Sequence, residues 1–413
     1  MNNNLYRYGE SVVGPFVIEF CKWINKIKKE HNKDILFFLS RDGYEILNVY
    51  KQLYPGEKAE YLQVSRKALR ICLMSELSYE SFCRTVPPFR NYTQFMIIDI
   101  MGVRDMLNES VEDISVPELT NLEVPYKDLV FSSELRQLFF FIKNKYKYYY
   151  ENQHMLFKRY LNEKHFSGAI GLVDLSFKGT SLWLLNELSD TYGIRATLDE
   201  YSLGRVDECW RRIGDLAKNL HGYLFQTEKD NPIAYLMLSN ATLYEKFFFQ
   251  NVGSVISYEE KNNKVIPVLL SQSSERANIN TIEKVRKGIE EAINNYIGSN
   301  GNLRESNFQI NIFFRYLPFP SRECVDTLGD MYEDNVIECQ IAHPASLKEY
   351  FLSPAKFIKE LKRSFWKQGF LYRLTRSKLL VYIYNLVFFY SKGIKVSVAV
   401  KVLSEINKSE KPI

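Results

Sequence analysis

The stretch at 168–184, GAIGLVDLSFKGTSLWL, constrains the fold of this chain more than any other. Its apolar run Ala169, Ile170, Gly171, Leu172, Val173 has a strand's length and no polar residue, as a strand buried on both faces requires. The run stops at Asp174. Lys178, Gly179, Thr180 and Ser181 then make a small-residue turn, and Leu182, Leu184, Leu185 and Leu188 follow a helical pattern. Strand, acid, glycine turn and helix, in that order, predict a phosphate site of the doubly wound α/β kind. The ligand would lie at the strand's carboxyl end, against the first N–H groups of the helix. In this reading Gly179 lets the backbone approach an anion, Thr180 and Ser181 add hydroxyl donors, and Lys178 adds a charge. The alternative is an ordinary strand-to-helix connection whose Ser and Thr only cap the helix.

Two earlier stretches repeat the pattern. Ile35, Leu36, Phe37, Phe38 and Leu39 form a buried strand that runs into Ser40, Arg41, Asp42 and Gly43, and a helical pattern follows at Ile46, Val49, Tyr50 and Leu53. Arg41 at a strand end can offer a planar fork to a phosphate or pyrophosphate. The strand at 59–64 ends in Ser65, Arg66 and Lys67. In an open parallel sheet these three polar ends share one edge.

The rest of the chain divides around these strands. Residues 1–78 form the first part of the α/β core, beginning with an amphipathic helix at 15–29. Residues 79–165 read as a helical insertion, with a loop at 109–126 and one helix from Ser132 or Ser133 through Tyr160. Residues 166–275 complete the core. They carry a strand at 196–203, a short strand at 221–225, a helix at 236–250 containing Glu245, and a hairpin over 253–270. Residues 276–413 are mostly helical, with a helix at 277–297, a loop at 318–334 and a basic, aromatic tail.

The six cysteines and five histidines show no paired spacing and build no zinc or redox motif. The start, MNNNLYRYGES, lacks the apolar core of a signal peptide, and no apolar run approaches the ~20 residues of a spanning helix. The expected location is cytoplasmic. A net charge of +5 fits an anionic substrate or a membrane surface and does not point to nucleic acid. The segment 378–392, apolar and aromatic between lysines, is expected either to lie on the inner membrane surface or to pack as core.

Five motifs come in the order seen in one bacterial family. They are Tyr8, Gly9, Glu10 through Gly14, Pro15; Phe38 to Tyr44; Val64, Ser65, Arg66; Val173, Asp174 with Gly179, Thr180; and Glu245 with Gly253, Ser254. Over roughly residues 5–270 the chain resembles the glycan phosphoribosyltransferase module of capsule and O-antigen proteins, a module often labelled haloacid-dehalogenase-like hydrolase. The resemblance implies a Rossmann-like sheet of the type I phosphoribosyltransferase kind, phosphoribosyl pyrophosphate as donor and a lipid-linked glycan as acceptor. It also implies Mg²⁺ bound mainly through the substrate, with no metal ligand assigned on the protein.

Carried over onto matching positions, it makes Arg41, Asp42, Asp174 and Glu245 the candidate catalytic groups. Ser40, Gly43, Ser65, Arg66, Lys178, Gly179, Thr180 and Ser181 become the candidate substrate contacts. Arg41 would hold pyrophosphate, Asp174 would face the ribose hydroxyls, 178–181 would cradle the 5-phosphate, and Asp42 or Glu245 would take the acceptor's proton. Leu175 departs from the motif, which commonly has a second acid there. A dehalogenase-like phosphatase would need an Asp-x-Asp pair where the chain reads Ser40, Arg41, Asp42. A non-catalytic subunit of a polysaccharide synthase is the remaining alternative.

Overall fold

Five parallel strands make one sheet: β1 (Ile35–Leu39), β2 (Ala59–Leu62), β3 (Gly168–Val173), β4 (Ala196–Ser202) and β5 (Leu220–Gly222), in the order β2-β1-β3-β4-β5. The structure, a computed structural model, describes residues 3–87, 89–106, 122–229, 232–250, 252–270, 278–299, 318–333 and 339–408. The fold is α/β and Rossmann-like, as the sequence predicts.

The unbroken apolar strands follow from cover on both faces. Leu36 and Phe38 of β1 enter one core with helix α1 (Gly14–Glu30) and helix α2 (Gly43–Leu53). Phe37 and Leu39 point the other way, into a core with α3 (Arg66–Leu73), α4 (Lys147–Glu163) and α5 (Thr180–Tyr192). The chain leaves β1 toward β2 and returns on the other side of β1 to make β3. The direction of winding therefore reverses between β1 and β3, where open sheets of this order form their crevice.

The insertion builds a third core of its own, around Tyr79, Phe82, Tyr92, Phe139 and Ile142. The single helix expected over 132–160 is two helices, Ser133–Lys145 and α4, broken at Tyr146. The first serves the insertion's core, whereas Leu156, Phe157 and Leu161 of α4 pack on the sheet, so the axis has to turn between them. The expected helix at 236–250 likewise ends at Asn240. The buried amide of that residue donates to the Leu236 carbonyl at 2.8 Å and closes the first segment, Pro232–Ser239. Within the expected loop at 318–334, Ser321 caps a short helix, Arg322–Leu328.

Helix α6 (Ile279–Gly298) crosses the N-terminal segment at backbone contact. A Cβ added at Gly288 would fall on the Tyr6 carbonyl oxygen and within 2.6 Å of the Glu10 nitrogen. Backbone cannot swing aside as a side-chain end can, so Gly288→Val is expected to cost about 3 kcal/mol or more. A urea-unfolding midpoint close to the parent's would show that the crossing is looser than this. Among the described residues no helix is long and apolar enough to cross a membrane.

Candidate active site

The site is assembled from the segments that leave β1, β2 and β3, with Glu200 supplied from within β4. After β1 the chain passes through Ser40, a cis peptide to Arg41, and Asp42 before α2 begins at Gly43. The Ser40 hydroxyl, expected to contact substrate, is engaged by backbone. It donates to the Val64 carbonyl at 2.6 Å and accepts the Val64 N–H at 2.9 Å, tying the β1 and β2 ends together. Gly43 is buried against the Phe38 backbone, where it lets α2 start tight against the strand.

The Arg41 guanidinium lies 4.4 Å above the Phe249 ring, and one of its nitrogens is 3.5 Å from the Val252 carbonyl. Phe249 is itself held from α6, whose Arg286 donates to the Phe249 carbonyl. The Gln250 N–H donates to the Arg41 carbonyl at 3.1 Å. A strand end, a distant loop and a late helix thus set the direction of one arginine.

Ser65 also takes a structural role. It caps α3 by accepting the Ala68 N–H at 3.0 Å, and it donates to the Val255 carbonyl at 2.6 Å. Arg66, the next residue, is exposed, and its positive charge acts on both Asp42 and Glu200. Beyond β3, Asp174 accepts the Ser176 N–H at 3.3 Å and remains partly exposed.

The 178–181 turn differs from the expected phosphate cradle. Lys178 is 2.7 Å from Glu208, a carboxylate that also holds Arg212, so its charge is already engaged. Gly179 has φ of +67°, and a side chain there would meet Ile213 at 2.6 Å. Its purpose is a left-handed turn under a packed neighbour and not the approach of an anion. Thr180 and Ser181 open α5 and are buried. The acceptor at this helix terminus is internal, because Glu200 of β4 accepts the Leu182 N–H at 3.2 Å and the Ser176 hydroxyl at 2.7 Å.

Glu200 is fully buried, and sequence reasoning passed over it. Two successive acids, Asp199 and Glu200, inside a strand covered on both faces were the available signal. Each needs a partner, and they point to opposite faces. Asp199 meets Lys33 and His221 on the other face, with His31 beside them. Two of the five histidines, His31 and His221, are therefore gathered with Asp199, their ligand-type atoms lying within 4.8 Å of one another. Lys33 already balances that carboxylate.

Three carboxylates and two arginines consequently meet at the switch point. Burial, and then the charge of Asp174, push the Asp42 carboxyl up to about 7, while Arg41 and Arg66 oppose the shift. The same causes, in the same order, raise Glu200 to about 8. Glu245 ends a short helix, Ala241–Glu245, whose chain runs on into the loop that clasps Arg41. No family model matches the chain, and no curated protein matches it.

The Glu200 shift has a consequence for stability. An unfolded glutamate loses its proton near the ordinary 4.5, but the folded one keeps it up to about 8. Between these values the folded chain holds more protons, so stability falls as pH rises, by at most about 1.4 kcal/mol per pH unit. Gln in place of Glu200 copies the protonated form, accepting from Leu182 and bonding Ser176. Glu200→Gln is therefore expected to gain stability over the parent at pH 9 and not at pH 5, read by urea unfolding with chelator present. An equal difference at both pH values would mean that Glu200 titrates normally.

Proposed function

We propose that this crevice belongs to a phosphoribosyltransferase that moves 5-phosphoribose from phosphoribosyl pyrophosphate to a lipid-linked glycan, at the cytoplasmic face of the membrane. The observation that carries the reading is the meeting of Asp42 and Asp174 with Arg41 and Arg66 at the β1/β3 switch point. Reactions at an anomeric carbon build positive charge on the sugar and negative charge on the leaving pyrophosphate. One carboxylate and two guanidinium groups are suited to those two charges.

Mg²⁺ fits the residues present. Asp174 is a partly exposed hard oxygen donor, and Mg²⁺ commonly takes one or two carboxylates and completes its shell with substrate phosphates. When bound, it would neutralise charge on the diphosphate. Arg41, aimed by Phe249, holds the pyrophosphate, and Arg66 faces the donor's remaining negative charge. Asp174 stabilises the ribose as the bond from C1 to the pyrophosphate oxygen breaks. The acceptor oxygen bonds to C1, and its proton passes to Asp42, whose raised affinity for a proton suits a base working near neutrality. Asp42 takes the role for which Glu245 was the other candidate.

A dehalogenase-like phosphatase is disfavoured by Ser40. That residue stands where the nucleophilic Asp would be, and its hydroxyl is committed to Val64. The test is incubation with phosphoribosyl pyrophosphate, Mg²⁺ and lipid-linked glycan. Release of pyrophosphate only when acceptor is present supports transfer. Inorganic phosphate without acceptor would support the phosphatase, and no product at all a non-catalytic role.

A further inference from the structure

The chain's positive charge is concentrated at one end. Residues 347–408 hold thirteen Lys and Arg against three Asp and Glu, a local charge of +10 in a chain whose total is +5, so the remainder is net negative. The same region exposes large apolar side chains. Helices Leu347–Leu352, Pro354–Arg363, Lys367–Thr375 and Lys378–Ser391 surround an open groove of about 480 Å³, lined by Leu347, Phe351, Phe357, Leu371, Leu380 and Ile383.

Phe351 is 89% exposed, Leu352 76%, Leu379 66% and Val387 61%. Leu379, Ile383 and Val387 repeat every four residues and make one stripe along Lys378–Ser391. Val381, Asn385 and Phe389 of that helix pack inward. The helix is therefore core on one side and bare on the other. Pro354–Arg363 is amphipathic and buries no residue at all, while Lys359, Lys362 and Arg363 are exposed on it.

The surface is preformed. Ser346 and Glu349 make a reciprocal cap on the first helix, and Lys356 ties Glu349 to the second at 2.7 Å. A bare apolar face ringed by lysines has few suitable covers. A second copy of the chain would set the exposed cations Lys348, Lys359, Lys362 and Arg363 against their own kind, which like-charge repulsion opposes. An anionic bilayer supplies both an apolar interior and a negative surface.

We propose that this face docks on an anionic lipid membrane, with Phe351, Leu352, Leu379 and Val387 entering the acyl layer and Lys348, Lys359, Lys362 and Arg363 meeting the headgroups. The surface stands on its own geometry. Only its use, keeping a soluble catalytic crevice near a lipid-linked acceptor, rests on the transferase reading.

The test is co-sedimentation of the full chain with vesicles of phosphatidylcholine alone or mixed with phosphatidylglycerol. Binding is expected only with phosphatidylglycerol present, weakening about tenfold or more from low to high salt. Phe351→Ser with Leu352→Ser, and separately Lys359→Glu with Lys362→Glu, should each weaken it about tenfold. All four side chains are exposed, so circular dichroism should match the parent. Parent-like binding by the serine variant overturns the proposal, and so does equal binding to phosphatidylcholine alone. A chain that ignores both vesicles but forms a dimer sensitive to Phe351→Ser assigns the face to a second copy instead. Pyrophosphate release with detergent-dispersed acceptor reports on the crevice separately, so failure of the surface and failure of the transferase reading are distinguishable.

Discussion

Asp174→Asn lowers acceptor-dependent pyrophosphate release by about a thousandfold while leaving the chain folded and more stable at neutral pH. The loss is expected because the variant removes the negative charge facing the ribose as positive charge develops there, an interaction made chiefly in the transition state. The fold survives because Asp174 is partly exposed, and an Asn carbonyl can still accept the Ser176 N–H. The gain in stability has a separate cause. Asp174 raises both Asp42 and Glu200, so its charge opposes the ionisation of each in the folded chain. Without it both pKa values fall toward the ordinary range, less stability is lost as pH rises from 5 to 8, and the acid limb of any residual rate moves to lower pH. Turnover, the melting temperature and the rate profile of the variant are the three measurements. Turnover within a few-fold of the parent would remove Asp174 from the site. An unchanged melting temperature at pH 8 would show that the three acids are not coupled.

Arg41→Ala is expected to reduce turnover about a hundredfold or more, and Arg41→Lys to recover little of it. Lysine would keep the charge, but it has neither the planar fork for a pyrophosphate nor the flat face that lies on Phe249 at 4.4 Å. The contrast between the two variants separates geometry from charge. Full activity in the lysine variant would mean that only a positive potential is needed at this strand end. Phe249→Ala provides an independent check on positioning. Its ring contacts the guanidinium and no reacting group is assigned to it, so it should raise KM for phosphoribosyl pyrophosphate more than it lowers kcat.

The strands and their polar ends were legible in the sequence because their signals are local. Leu36 to Leu39 and Ile170 to Val173 are apolar at every position, and only a strand covered on both faces uses such a run. Arg41 and Asp42 lie two and three residues beyond β1 and Asp174 directly follows β3, so the strand pattern alone points to them. The hydroxyls at Ser65 and at Thr180 were open to either reading, since one that serves the fold and one that binds phosphate look the same along the chain. Distance decided those cases. Val255 reaches Ser65 from 190 residues away, and Glu200 arrives at the α5 terminus from a strand whose neighbours the sequence does not name. The breaks at Tyr146 and Asn240 were likewise invisible to periodicity, which records that a face is apolar and not which core it enters. What the sequence by itself determined was the α/β class and the places where its strands run into polar turns, because burial period and turn residues act over a few neighbours. Only the tertiary structure decided which polar groups are spent on holding the fold and which meet in the crevice, because hydrogen bonds and charges pair by distance in space.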